Sequence, residues 1–265
     1  MTFKEKWFDA VKKKNSILCI GLDAAEFGQR EKGTVPEKTD KLEWCLSVIE
    51  EQAEYAAAVK PNRNYIKDFS RKETKMLTNF AHRHGLLVID DSKLADIGET
   101  NDSGLYHAKM EGFDAVTYAP FPGNAGEAKK QADKHGVGLI QLVLMSNKEF
   151  EAMKNADFDG IKGYEYFATQ VYQNDIDAMV IGAPSPKNHL KDFEIERVRE
   201  LTKEANPLVL MPGVGAQGGD ASYITKIFGW ENVIANVGRA LIYPDDGNIA
   251  KAATEYRDML NKLRG

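Results

Sequence analysis

Eight short apolar runs, each followed by a longer segment of helical periodicity, constrain the fold of this 265-residue chain more than any other feature. The runs occupy residues 16–22, 57–60, 86–89, 115–118, 138–145, 178–181, 207–211 and 232–237. Several are almost uninterrupted hydrophobic stretches (ILCIGL, LLVI, LIQLVLM, AMVIG, LVLM). Strands of a parallel sheet read this way because helices cover one face and the barrel or core covers the other. The intervening segments carry the helical period. Over 39–57, Leu42, Cys45, Leu46, Ile49 and Ala53 recur at spacings of three and four, which places them on one face. Over the last segment Ile249, Ala253, Tyr256, Leu260 and Leu263 do the same, with Asn248 as N-cap. Eight β–α repeats in a chain of this length predict a single (β/α)₈ TIM barrel over 1–265, of the α/β class. A doubly wound open sheet is the alternative. It seldom needs eight regular repeats, and no G-x-G-x-x-G follows the first run. The one irregular stretch, 24–38, is rich in Gly and charge and reads as an insertion in the loop after the first strand.

Composition excludes several functions. Hydrophobic residues are 43% and charged residues 28% of the chain, and the net charge is −5. There is no general attraction to nucleic acid or to an anionic membrane. A phosphorylated ligand therefore needs a locally positive pocket. The two cysteines, Cys19 and Cys45, form no CxxC pair and both fall on apolar positions, so each reads as a core residue. The first residues lack the apolar core of a secretory signal. No stretch approaches the ~20 apolar residues that span a bilayer. The expectation is a cytoplasmic protein.

Barrel active sites form at strand C-termini and in the loops after them. The polar residues closing the runs are therefore the candidates. They are Asp23 after the first run, Lys60 in the second, and Asp91 and Lys93 after the third. Ser146 follows the fifth and Arg239 the eighth. A charge directly after an apolar strand is costly to desolvate unless paired. Two acids and two lysines at one mouth thus suggest an alternating ion network. Asp91 and Lys93 are two apart, so on an extended strand they would share a side, with Asp90 facing the other way in a structural role. Asp96 falls beyond the strand, in the following loop. The loops after runs seven and eight suit a phosphate. Pro212-Gly213-Val214-Gly215-Ala216-Gln217-Gly218-Gly219-Asp220 offers backbone N–H groups and the Gln217 amide, and Gly238-Arg239 offers a guanidinium fork.

The five histidines, His82, His84, His107, His135 and His189, sit in helical segments or lack an acidic partner. No nucleophile–His–acid set, H-x-x-H pair or P-loop is present. Asp90 and Asp91 could suggest Mg²⁺, but two lysines nearby disfavour a divalent cation. No metal or cofactor is expected.

The segment Asp91-Ser92-Lys93-Leu94-Ala95-Asp96 resembles the D-x-K-x-x-D motif of the orotidine monophosphate decarboxylase superfamily. Gly21-Leu22-Asp23, Lys60, Ser146, Gly182-Ala183, the 212–220 loop and Gly238-Arg239 follow the same resemblance along nearly the whole chain. Metal-using members of the superfamily carry an acidic ligand where this chain has Lys60. The resemblance implies a homodimeric, cofactor-free enzyme that converts orotidine 5′-monophosphate to uridine 5′-monophosphate. It further implies Lys93 as proton donor to C6 and Asp91 beside the departing carboxylate. Lys60 and Asp96 would complete the charge network, with Asp96 and Thr100 coming from the partner subunit. Asp23 and Lys60 would bind ribose hydroxyls. Ser146 and Gln217 would meet the pyrimidine edge, and Gln217 and Arg239 the phosphate, with Pro212 and Gly238 also in the substrate site. The alternatives are a Mg²⁺-dependent sugar-phosphate decarboxylase or aldolase on the same barrel, or a non-catalytic phosphate-ligand binding protein.

Overall fold

The computed structural model describes residues 1–214 and 221–264. All eight apolar runs become barrel strands: β1 (Leu18–Leu22), β2 (Ala58–Pro61), β3 (Leu87–Leu94), β4 (Ala115–Tyr118), β5 (Gly138–Leu144), β6 (Ala178–Ile181), β7 (Leu208–Pro212) and β8 (Val233–Val237). They close in chain order, every neighbour parallel, with β8 pairing back onto β1 through Leu18 opposite Ala235. Such strands are covered on both faces, and β1, β5 and β8 are buried along their whole length. Cys19 and Cys45 are both in the core.

The helices start where the side chains allow it. Ser70 and Glu73 form a reciprocal capping box for helix Arg71–Arg83, and Asn248 accepts from the Lys251 backbone to cap helix Ile249–Asn261. Such a cap contributes about 1 kcal/mol. The N-terminal helix Phe3–Lys14 lies under the barrel with Trp7 fully buried, its indole N–H donating to Glu231 O at 2.8 Å. Gly138 at the start of β5 is required by this packing, since a Cβ there would lie 2.5 Å from the Phe3 Cβ. After β5 the chain makes a short helix, Phe150–Asn155, and a two-stranded antiparallel ribbon of Asp157–Phe158 with Ile161–Lys162. Neither was expected from the sequence. The segment 24–38 forms no helix or strand, as its composition suggests. Among the described residues no helix is long and apolar enough to cross a membrane.

Candidate active site

β2 carries Lys60 in the sequence Ala-Val-Lys-Pro, buried at every position. An ammonium there requires a counter-ion, and β3 supplies it. Asp91 is also buried. Its Oδ2 accepts from the Lys60 ammonium, and its Oδ1 accepts from the Lys93 ammonium at 2.6 Å. Burial alone would push the Asp91 carboxyl up. Lys60 and Lys93 outweigh it and hold the group down at about 2. Burial lowers Lys60 in turn, but Asp91, and Asp23 at the end of β1, more than offset it and raise it. Asp91 and Lys60 therefore each favour the other's charged form.

The side chains meet in a way that strand alternation does not explain. Lys93 has φ +50° and the β3–β4 register shifts between Asp90 and Leu94. β3 is not regularly extended here, so the shared-side argument for Asp91 and Lys93 is corrected: a local kink turns the lysine back onto the aspartate. Left-handed backbone at a residue with a long side chain is strained and needs support. Thr117 on β4 provides it. Its hydroxyl accepts from the Lys93 N–H at 2.9 Å and lies 3.3 Å from both Asp91 Oδ1 and Asp90 O. Thr117 was missed from sequence. Its only signal there is a small hydroxyl residue in a short, buried strand.

The neighbouring aspartates are driven apart. Asp90 faces away from the mouth, with Arg63 Nε 3.7 Å from it, and Arg63 also bonds Glu111 at 2.7 Å. Burial, assisted by the charges of Glu111 and Asp91, lifts Asp90 to about 7 against the pull of Arg63. Asp90 thus packs against Arg63, away from the Lys60–Asp91–Lys93 group.

Asp96 lies past the end of β3. Its carboxylate accepts from the Ile97 N–H at 2.9 Å, its carbonyl accepts from Asn124 at 3.0 Å, and among the described residues it makes no ion pair. Thr100 is exposed on helix Gly98–Glu111. Neither joins the Lys60–Asp91–Lys93 group within this chain. Ser146 stands just after β5 against Gly182. A Cβ on that glycine would come 2.8 Å from the Ser146 Cβ, so only glycine allows the approach. Pro212 ends β7 and its carbonyl accepts from Ala183 N at 3.0 Å. Gly238 touches β1, since a Cβ on Gly21 would meet its Cα at 3.0 Å. Arg239 is exposed at the head of the short helix Arg239–Ile242. Gln217, with the rest of 215–220, lies outside the described residues.

The mouth thus holds a half-exposed ammonium, Lys93, on a carboxylate shared with a buried second lysine; the Lys93 side chain is 46% exposed against 7% for Lys60. An ammonium so placed at the ends of barrel strands is a chemically competent proton donor.

These features define a (β/α)₈ barrel with a lysine–carboxylate centre at its catalytic face. The same fold is found in the structure of Leishmania donovani OMP decarboxylase, which superposes with a TM-score of 0.74 at 23% identity, covering 100% of this chain and 99% of that one. The model of the orotidine 5′-phosphate decarboxylase / HUMPS family matches residues 16–256, and the chain belongs to that family. Orotidine 5′-phosphate decarboxylase of Variovorax paradoxus is 34% identical over 100% of both chains. That of Polaromonas naphthalenivorans is 32% identical over 100% of this chain and 97% of its own.

Proposed function

We infer that this chain decarboxylates orotidine 5′-monophosphate to uridine 5′-monophosphate, acting as a carbon–carbon lyase. The observation that carries the reading is the Lys93 ammonium held 2.6 Å from Asp91 at the barrel mouth, with Lys60 buried on the other carboxylate oxygen. Loss of carbon dioxide leaves an electron pair on C6, in the ring plane and without an adjacent π system to accept it. Fixed charges aimed at that carbon are then the main means of lowering the barrier. Lys93 supplies one such charge. It stabilises the developing carbanion and then transfers its proton to C6, so the carbon gains the hydrogen that replaces the carboxylate. Asp91 holds the Lys93 ammonium in place and sits where the departing carboxylate would lie. Lys60 keeps Asp91 ionised and oriented.

The rest of the site follows the strand ends. Asp23 and Lys60 bind the ribose hydroxyls, Ser146 and Gln217 the pyrimidine edge, and Gln217 with Arg239 the phosphate, between Pro212 and Gly238. Gripping the phosphate, remote from the breaking bond, lets binding energy support closure and water exclusion. Asp96 and Thr100 act in the site of a partner subunit in a homodimer. That Asp96 makes no ion pair among the described residues of its own chain supports this placement. In this reading the chain is one barrel domain over 1–265, cytoplasmic, without nucleic-acid or membrane partners and without a metal or organic cofactor.

The test is the loss of orotidine 5′-monophosphate absorbance with purified protein in EDTA. Sustained turnover is expected. No turnover there, with activity on another sugar phosphate only after Mg²⁺ is added, would move the chain to the metal-dependent branch of its family.

A further inference from the structure

The insertion 24–38 is not a loose flap. Its base is closed by Val35 N donating to Ala25 O at 2.8 Å, and Ala24, Ala25 and Val35 are buried. Within it Arg30 turns back to the end of β1. The Arg30 Nε donates to Gly33 O at 2.7 Å and Nη2 donates to the carbonyl of Asp23 at 3.2 Å. The guanidinium lies over two rings, 5.5 Å from the centre of Tyr65 and 5.4 Å from that of Tyr243. Tyr243 is itself stacked on Trp44 at 5.2 Å. One cation thus joins three segments: the end of β1 at Asp23, the segment after β2 at Tyr65, and the residue closing the Arg239–Ile242 helix. Tyr243 N donates to Arg239 O at 2.9 Å, which ties this stack to the last barrel loop. From beneath, buried Gln52 bonds the carbonyls of Leu241 and Ile249 at 2.8 and 2.9 Å. The helix bearing Arg239 follows Gly238, which packs on β1, and the Arg30 side adds a side-chain link from it to Asp23.

We propose that Arg30 is a positioning residue for the phosphorylated end of the substrate: lying over Tyr65 and Tyr243, it sets the Arg239 helix relative to Asp23. The inference rests on the reading of Arg239 as a phosphate contact. A guanidinium is suited to the place because its delocalised cation lies over two rings while its N–H groups donate to carbonyls. An ammonium cannot do both. The insertion then serves to fix the spacing between the phosphate end and the ribose end of one ligand.

The experiment compares full-length wild type with Arg30→Met, Arg30→Lys and Tyr243→Leu. It measures kcat and KM for orotidine 5′-monophosphate, inhibition by uridine 5′-monophosphate and by uridine, and Tm. A positional error at a binding group is costly even when the group remains. For Arg30→Met, KM should rise about tenfold and uridine 5′-monophosphate should bind about tenfold more weakly. Uridine, lacking phosphate, should change less than about twofold and kcat less than about threefold, with Tyr243→Leu showing the same selective loss. Arg30→Lys should not restore the wild-type values. Equal weakening of uridine and its monophosphate would mean a merely structural role and overturn the inference. So would unchanged KM, or full rescue by lysine. A wild type that neither turns over orotidine 5′-monophosphate nor binds uridine 5′-monophosphate would overturn the functional reading itself, and this inference with it.

Discussion

Two buried lysine–carboxylate pairs stand on the loop side of this barrel, and they differ in how fully they are satisfied. Lys154 and Glu194 form a closed unit. The ammonium bonds Glu194 Oε1 at 2.8 Å, Oε2 at 2.9 Å and the carbonyl of His189 at 2.7 Å. Glu194 Oε2 also accepts from the Lys191 N–H at 3.0 Å, so the pair joins the helix after β5 to the start of the helix after β6. One charge meets one charge, and both are almost fully buried. At the mouth, by contrast, Asp91 serves two ammoniums, and one of them, Lys93, is half exposed on a strained backbone. The first arrangement is complete and does nothing but hold chain segments together. The second is left open at the barrel mouth. In the proposed function, incomplete satisfaction of a charge, supported from behind, is what sets Lys93 apart from a structural ion pair.

Breaking the closed pair should give the largest stability effect. Lys154→Met leaves Glu194 buried without its counter-ion, and unfolding in urea should show a loss of about 3–5 kcal/mol. Lys154→Met/Glu194→Leu should recover all but about 1 kcal/mol, the remaining loss being the helix-end hydrogen bond. A single-variant loss under about 1 kcal/mol would show that the pair is not the structural unit described.

A smaller effect sharpens the contrast within β3 itself. Asp90 is lifted to about 7 in the folded protein, above its unfolded value. Its contribution is thus intact at low pH and is lost as pH rises towards and through 7, because ionising it in place is unfavourable. Wild type should therefore lose Tm relative to Asp90→Asn between about pH 4 and pH 7 and level off above. About 1 kcal/mol corresponds to roughly 2–4 °C for a domain of this size. Parallel Tm curves for the two proteins would mean that Asp90 is not buried as its surroundings indicate.

Most of the barrel was legible in the sequence because its strands are covered on both faces, so that each is a nearly unbroken apolar run. The runs at 115–118 and 178–181 coincide with β4 and β6, and elsewhere strand ends moved by one or two residues, except at β3. There the run ended at Ile89 while the strand continues through polar residues to Leu94, because pairing with β4 rather than hydrophobicity extends it. Lys60, Asp91 and Lys93 were found because a charge at a buried strand end is conspicuous. The kink at Lys93 was not, since it depends on the β3–β4 register, a property of two strands. Thr117 and Arg30 were missed for related reasons. A hydroxyl in a strand and an arginine in a polar loop carry no local signal of what they will touch. His82, exposed on its helix, and His135 meet Asp114 at 2.8 Å and Asp102 at 2.9 Å, acidic partners 32 and 33 residues away that no local pattern announces.

The central claim is that Lys93, and not the ion network at large, delivers the proton. Its most direct test is kcat/KM for orotidine 5′-monophosphate in Lys93→Ala, measured beside the affinity for uridine 5′-monophosphate. A missing general acid typically costs between about 10² and 10⁴ in rate, and further loss of charge stabilisation acts in the same direction. The account predicts a fall of about 10³-fold or more, with product affinity within about fivefold of wild type. Turnover within about tenfold of wild type would contradict it, and would place the proton donor elsewhere in the mouth.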